Sequence, residues 1–212
     1  MPSYDYKKEF KELYLPKTSP SLINVPAMKF IQVKGKGNPN DTGGEYQSAL
    51  DALYSLSNTI KFMPKGGITP KDYFAFVVPP LEGMWWIEGI DGIDYSRKKD
   101  FSWISMIRQP EFVTDEVFSQ AYEIVAKKKP HIDLSKAHLV EVEEGLCVQC
   151  MHIGAYDDEP ATVSLMDRFI AENNLESDFT ETRLHHEIYL SDPRKTELSK
   201  SRTIIRHPVK AK

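Results

Sequence analysis

The 212-residue sequence lacks any apolar run close to the roughly 20 residues that a membrane-spanning helix needs. Its first eight residues are polar and contain no hydrophobic segment of a secretory signal. Neither sign of charge dominates, since 31 acidic and 27 basic residues leave a net charge of −4, which gives no general reason for nucleic-acid binding. We therefore expect a cytoplasmic globular protein with no membrane partner and no direct nucleic-acid binding.

Cysteine is almost absent. The two cysteines, Cys147 and Cys150, have the spacing of a redox or metal motif. Their neighbours alternate as in a strand, however, where residues three apart point to opposite faces. A zinc site would need further ligands, with His152 and either His185 or His186 as candidates. We favour two ordinary strand cysteines and expect neither a metal nor a cofactor.

Aromatic residues, in contrast, are abundant. Hydrophobic residues make up 41% of the chain and charged residues 27%, which is enough for a packed core in one domain. Three tryptophans and ten tyrosines raise the aromatic share to 11%. This surplus is the first indication of a binding function for aromatic guests.

The hydrophobic pattern predicts a fold with an internal repeat. Residues 1–24 are interpreted as an N-terminal arm. A strand, a glycine-rich break, a helix and three strands are then predicted at 27–34, 35–40, 43–62, 72–78, 83–88 and 101–108. A capped helix at 114–129 is followed by a second strand, break, helix and two strands at 146–153, 154–158, 159–171, 183–190 and 202–209.

The order of these elements predicts an α+β fold. Two βαββ modules, at about 25–110 and 138–209 with helix 114–129 inserted between them, are expected to form one domain over residues 25–209. Such modules build antiparallel sheets with helices on one side. Ligand sites favour the place where modules meet, so a central pocket is expected there.

The densest polar cluster lies in the strand at 183–190. A period of two places His185, Glu187 and Tyr189 on one face. If Glu187 is buried, desolvation raises its pKa and makes it a better proton acceptor near neutral pH. If the strand lies at the edge of the sheet, the same glutamate is merely solvated. The pattern leaves both interpretations open.

Several aromatic residues are candidate ligand contacts. Trp86 and Trp103 lie on strands, and with Met106 they can form a box for a flat, hydrophobic guest, neutral or cationic. Trp85 points to the opposite face from Trp86, and the pattern does not decide which face is internal. Tyr46 and Tyr156 occupy similar places in the two repeats, although rim packing explains each of them as well. For each tryptophan taken alone, core packing is the ordinary alternative. With His185 added, the candidate ligand contacts are Trp86, Trp103, Tyr46, Tyr156, Met106 and His185.

The segment His186-Glu187-Ile188-Tyr189-Leu190-Ser191-Asp192-Pro193 and the turn Gly154-Ala155-Tyr156 resemble the GyrI-like small-molecule-binding family. The resemblance covers about residues 25–209. It implies two βαββ modules, known as SHS2 modules, around a central pocket. It also implies a pocket carboxylate that binds cationic aromatic drugs, a position that Glu187 matches.

The tryptophans resemble those of stand-alone members credited with hydrolysing cyclopropane rings in DNA-alkylating natural products. That resemblance implies a detoxifying hydrolase in which Glu187 activates water and Tyr189, or another pocket tyrosine, donates to the developing oxyanion. The alternative is a non-catalytic drug-binding, sequestering or sensor protein, including a gyrase-protecting one. A structural adaptor without an aromatic pocket is a third possibility.

Overall fold

A computed structural model describes residues 3–90, 93–192 and 195–212. The helices in these ranges are α1 Tyr6–Glu9, α2 Lys11–Tyr14, α3 Glu45–Phe62, α4 Asp115–Lys128 and α5 Glu159–Glu172. The strands are β1 Ser21–Val25, β2 Met28–Lys36, β3 Leu81–Ile87, β4 Phe101–Arg108, β5 Ala137–Val142, β6 Gly145–Ile153, β7 Leu175–Ser177, β8 His185–Tyr189 and β9 Arg202–Ala211. No helix in the described part of the chain is long and apolar enough to cross a lipid bilayer.

All nine strands belong to one antiparallel sheet, which confirms the predicted α+β class. The order is β1-β6-β9-β8-β3-β4-β2-β5, and β7 pairs with β9 beside this path. Helix α5 packs against β6, and helix α3 packs against β2 and β4. The pairing of β8 with β3 lies between these two helix-covered regions. Side chains of β8 and β3 that point to the helical face therefore meet at the centre of the sheet.

The two faces of the sheet are covered differently. The helical face carries two cores, one beneath α3 and α4 around Trp103 and Leu53, and one beneath α5 around Met166 and Ile205. The opposite face packs against the N-terminal segment through Tyr14. The residues predicted as a plain arm thus contain α1, α2 and the edge strand β1, which pairs with β6.

Most predicted elements agree with the structure to within two residues, but the strand at 72–78 was wrong. Asp72 has a left-handed backbone, with φ of 60°, which interrupts a strand. Phe76 forms only an isolated bridge with Tyr4. The short strands β1, β5 and β7 were not predicted.

The two cysteines lie on opposite faces of β6. Cys147 packs in the core beneath the N-terminal helices, and Cys150 packs in the core beneath α5. Both are free and buried. This arrangement agrees with two ordinary strand cysteines, because one ion cannot be reached from both faces of a sheet.

Candidate functional site

Strand β8 places a carboxylate in the interior of the helical face. Glu187 is only 7% exposed. Its Oε2 accepts a hydrogen bond from the Tyr189 hydroxyl at 2.8 Å, and its Oε1 lies 3.0 Å from Nε2 of His185. Because β8 lies between β3 and β9, the edge-strand interpretation of Glu187 was wrong. The predicted common face of His185, Glu187 and Tyr189 is the arrangement observed.

A tryptophan from the neighbouring strand completes this row of polar contacts. Trp85 lies directly opposite His185 in the β3–β8 register, and its indole N–H donates to the Tyr189 hydroxyl at 2.9 Å. Burial, with the nearby charge of Glu187, raises the pKa of Tyr189 well above its usual value. The phenol therefore remains a neutral donor, and the row runs from Trp85 through Tyr189 to Glu187.

Gly83 makes this arrangement possible. It is the cross-strand partner of Glu187 on the same face. A Cβ at this position would lie 2.7 Å from Nε1 of Trp85 and 2.9 Å from the Tyr189 hydroxyl, both closer than real contacts allow. The indole and the phenol hence occupy the space that a side chain would fill.

Aromatic rings wall the site on the side of α3. The ring centroid of Tyr46 lies 5.5 Å from that of Trp85 and 5.2 Å from that of Trp103. The ring of Tyr156 makes an edge contact with Tyr189 at 5.8 Å. Burial raises the pKa of Tyr46, and it raises that of Tyr156 to about 12. The wall is thus a set of rings with neutral hydroxyls at the place where the two helices begin.

Sequence reasoning missed a second carboxylate. Glu159 is the first residue of α5, is fully buried, and accepts a hydrogen bond from the Tyr95 hydroxyl at its Oε2, at 2.9 Å. Its Oε1 is buried without a hydrogen-bond partner. Burial and the neighbouring Glu187 raise the pKa of Glu159 well above its usual value. Acidic residues are common at helix starts, so the position of Glu159 in the chain does not predict its burial.

One group of side chains in the described ranges has donor atoms placed closely enough to hold a metal ion. Glu159, His185 and Glu187 each offer one atom, and these atoms lie within 4.8 Å of one another. Carboxylate oxygen and imidazole nitrogen are ligand types of zinc. Of the zinc ligands considered in the sequence, His185 belongs to this group, whereas Cys147, Cys150 and His152 do not.

A cavity of about 560 Å³ adjoins these groups on the side of α5. His185, Tyr95 and Phe179 are among its lining residues, together with His207. The two histidines are in contact, with Nδ1 of His185 lying 2.7 Å from Nε2 of His207. His185 therefore connects the polar cluster around Glu187 with the lining of this cavity.

Two predicted ligand contacts lie on the face of the sheet opposite to Glu187. Trp86 packs on the opposite face of the sheet beneath the N-terminal segment, where Lys34 approaches its ring at 5.2 Å. Met106 is buried in the same core. The registers of β3 and β4 place Trp85 and Trp103 on the face of Glu187 instead. Of the predicted contacts, the structure thus brings Trp103, Tyr46, Tyr156 and His185 towards Glu187. Trp85, rather than Trp86, is the tryptophan of β3 on that face.

A comparison with protein families assigns the chain that carries this buried carboxylate and aromatic wall to a known family. The model of the GyrI-like small molecule binding domain matches residues 18–210. The chain belongs to the GyrI-like family. No curated protein matches the chain.

Among solved structures, two proteins from Listeria innocua are similar over nearly the whole chain. One, described as a hydrolase, is 45% identical with a TM-score of 0.89 and covers 98% of this chain and 100% of its own. The other, described as an uncharacterized conserved protein, is 47% identical with a TM-score of 0.93 and the same coverage. The EcmrR C-terminal domain, 10% identical with a TM-score of 0.58, covers 92% of this chain and 98% of its own, and shares the fold alone.

Proposed function

We propose that this GyrI-like protein is a hydrolase that binds flat aromatic small molecules and adds water to an electrophilic cyclopropane ring in them. The observation that carries the proposal is the buried carboxylate of Glu187, held by two hydrogen-bonding groups beside a wall of aromatic rings. The similarity to a Listeria innocua protein described as a hydrolase supports an enzymatic role. Detoxification of reactive compounds is the role that we attach to this chemistry.

The binding step uses the aromatic wall. The ring of Tyr46 contacts those of Trp85 and Trp103, and Tyr156 extends the wall towards Tyr189. Flat guests gain stacking and hydrophobic energy on such surfaces. A positive charge on the guest is favoured further by the ring faces and by Glu187. The proposed partner is therefore a hydrophobic aromatic molecule, neutral or cationic.

The chemical step needs one base and one donor. The oxygen of water forms a bond to a carbon of the cyclopropane ring while Glu187 accepts a proton from that water. The strained carbon–carbon bond breaks, and its electron pair moves through the conjugated system onto the carbonyl oxygen, which takes up a proton. A positioned general base contributes roughly 10²–10⁴-fold to such a step.

Tyr189 serves this step by positioning the base. Its hydroxyl proton is directed to Oε2 of Glu187 and its oxygen accepts from Trp85. The hydrogen bond to the developing oxyanion then comes from another phenol of the wall, Tyr46 or Tyr156. Preorganised donors of this kind stabilise the charge as it develops.

The test is turnover of an aromatic alkylating agent that carries a cyclopropane ring. We expect ring-opened product to form faster than in buffer and for many equivalents per protein. Glu187→Gln is expected to bind the compound and to lose turnover by roughly 10²-fold or more. Glu176→Gln, a change at an exposed glutamate, is the matched control and should turn over normally. Absence of acceleration, or full activity in Glu187→Gln, contradicts the proposal.

A non-catalytic binder is the second candidate function. Both oxygens of Glu187 already have hydrogen-bonding neighbours, as expected of a fixed counter-ion for a cationic guest. A binder saturates at one equivalent, and its affinity for a cationic dye falls in Glu187→Gln. A neutral dye of the same shape, bound equally by both proteins, separates the charge effect from a change in the pocket.

A further inference from the structure

The inner atoms of three side chains converge between β8 and the start of α5. Nε2 of His185 lies 3.0 Å from Oε1 of Glu187, and one oxygen of Glu159 completes a set whose members lie within 4.8 Å of one another. Oε1 of Glu159 is buried and has no hydrogen-bond partner. No lysine or arginine of the described ranges forms an ion pair with either carboxylate. We propose that Glu159, His185 and Glu187 form a binding site for one divalent cation of the zinc type.

The outer atoms of the same three groups are each held by a neutral neighbour. The Tyr95 hydroxyl donates to Oε2 of Glu159, and the Tyr189 hydroxyl donates to Oε2 of Glu187. Metal-binding carboxylates and imidazoles are usually held in this way through the atom that does not face the ion. These two hydrogen bonds therefore fix the two carboxylates through the oxygens that do not face the proposed ion.

The histidine pair fits the same arrangement. Nδ1 of His185 lies 2.7 Å from Nε2 of His207. Without an ion, Nε2 of His185 can donate to Oε1 of Glu187. When His185 instead donates from Nδ1, its Nε2 carries a lone pair, and this is the form that binds a metal ion. The position of His207 allows that form because its Nε2 can accept the proton of His185.

Charge balance favours a divalent ion over a univalent one. Two carboxylates that face each other in a buried site are costly unless they share a proton or bind a cation. A divalent cation balances the charge of both carboxylates. Carboxylate and imidazole ligands together suit Zn²⁺, Co²⁺ or Mn²⁺ better than Ca²⁺, which prefers more oxygen ligands.

A bound ion and the proton taken from water would compete for the carboxylate of Glu187. This consequence rests on the proposed function, since an ion bound to Oε1 of Glu187 prevents that carboxylate from accepting a proton from water. We therefore expect Zn²⁺ to inhibit hydrolysis. The binding itself is measured without any substrate, so it stands or fails separately from the enzymatic proposal.

The first experiment is calorimetric titration of Zn²⁺ into the chelator-stripped full chain. We expect one equivalent of Zn²⁺ to bind. Glu159→Gln is expected to weaken the affinity for Zn²⁺ by about 100-fold, because the site loses one of its three groups. Glu143→Gln, at an exposed glutamate, is the control and should bind as the unchanged chain does. No binding by the unchanged protein, or equal binding in Glu159→Gln, overturns the inference.

The second experiment identifies the ligands and does not depend on a variant that folds. Co²⁺ in place of Zn²⁺ gives visible absorption bands that report the ligand type. Bands typical of nitrogen and oxygen ligands, abolished by an excess of Zn²⁺, support the site. A sulfur-to-cobalt charge-transfer band assigns the ion to Cys147 or Cys150 and overturns the inference. Turnover without zinc binding would also overturn it, while leaving the proposed hydrolase intact.

Discussion

The indole N–H of Trp85 donates to the hydroxyl of Tyr189 across the β3–β8 pair, at 2.9 Å. The Tyr189 hydroxyl in turn donates a hydrogen bond to Glu187, so the orientation of the carboxylate depends on a tryptophan from another strand. The two residues are 104 positions apart in the chain. The site is therefore a product of strand register as much as of the residues on β8.

Gly83→Ala tests this dependence on register. The added methyl group would lie 2.7 Å from Nε1 of Trp85, so the indole or the phenol must move. We expect a loss of about 1–3 kcal/mol in the free energy of unfolding and a clear fall in ligand affinity. Urea unfolding and fluorescence titration measure the two effects. Gly66→Ala, where nothing lies within 4 Å of the new Cβ, should change neither.

Tyr189→Phe removes a hydroxyl that accepts a hydrogen bond from Trp85 and donates one to Glu187. Trp85 loses its acceptor and Glu187 loses one donor, and buried polar groups left in this state cost about 1–3 kcal/mol each. We expect lower stability and turnover reduced by at least about 10-fold, because the base is no longer held in place. Chemical denaturation and product formation are the measurements.

A matched change separates positioning from general destabilisation. Tyr73 also uses its hydroxyl in one partly buried hydrogen bond, to the carbonyl of Lys61 at 2.8 Å. Tyr73→Phe should therefore lose stability while turnover at saturating ligand stays unchanged. If both variants lose turnover equally, Tyr189 has no special role in orienting Glu187.

The two adjacent tryptophans allow a direct test of which sheet face binds the ligand. Trp85 lies on the face of Glu187 and Trp86 on the opposite face. We expect Trp85→Phe to reduce affinity for a flat aromatic ligand by about 10-fold, since it loses ring area and the hydrogen bond to Tyr189. Trp86→Phe should leave the affinity within about 2-fold. Reversed effects would place the ligand beneath the N-terminal segment.

The two tryptophans also show which part of the candidate site could be predicted from the sequence and which could not. The alternation along β8 is local, so a period of two correctly placed His185, Glu187 and Tyr189 together. Which face of β3 joins them depends on the pairing of Gly83 with Glu187, and such pairing is set by contacts distant in sequence. For this reason the sequence pattern could not decide whether Trp85 or Trp86 lies on the face of Glu187.

Glu159 illustrates a different limit. The helix that it begins was predicted correctly, but no role was predicted for its first residue. Its burial depends on Tyr95, which lies 64 residues away and reaches over the helix start from a different loop. No periodicity within either segment reports that contact. The half of the candidate site on β8 was thus predictable, while the half contributed by α5 was not.

The opposite face of β8 predicts a pH dependence of stability. His186 is fully buried between Glu144, 2.9 Å from its Nδ1, and Glu82, 3.0 Å from its Nε2. Burial lowers the pKa of His186, but the two carboxylates outweigh this effect and raise it to about 9. A raised histidine pKa stabilises the folded state below the unfolded value of 6.5, and this stabilisation is lost as the pH rises through about 9.

We therefore expect the free energy of unfolding to fall by on the order of 2–3 kcal/mol between pH 6.5 and pH 9.5, since each unit of pKa shift corresponds to about 1.4 kcal/mol. Urea unfolding across this range measures the change. His186→Gln should be less stable at pH 6.5 and should lose most of the dependence, whereas His138→Gln, at an exposed histidine, should keep it. A flat profile in the unchanged protein would mean that His186 is neutral between its two glutamates.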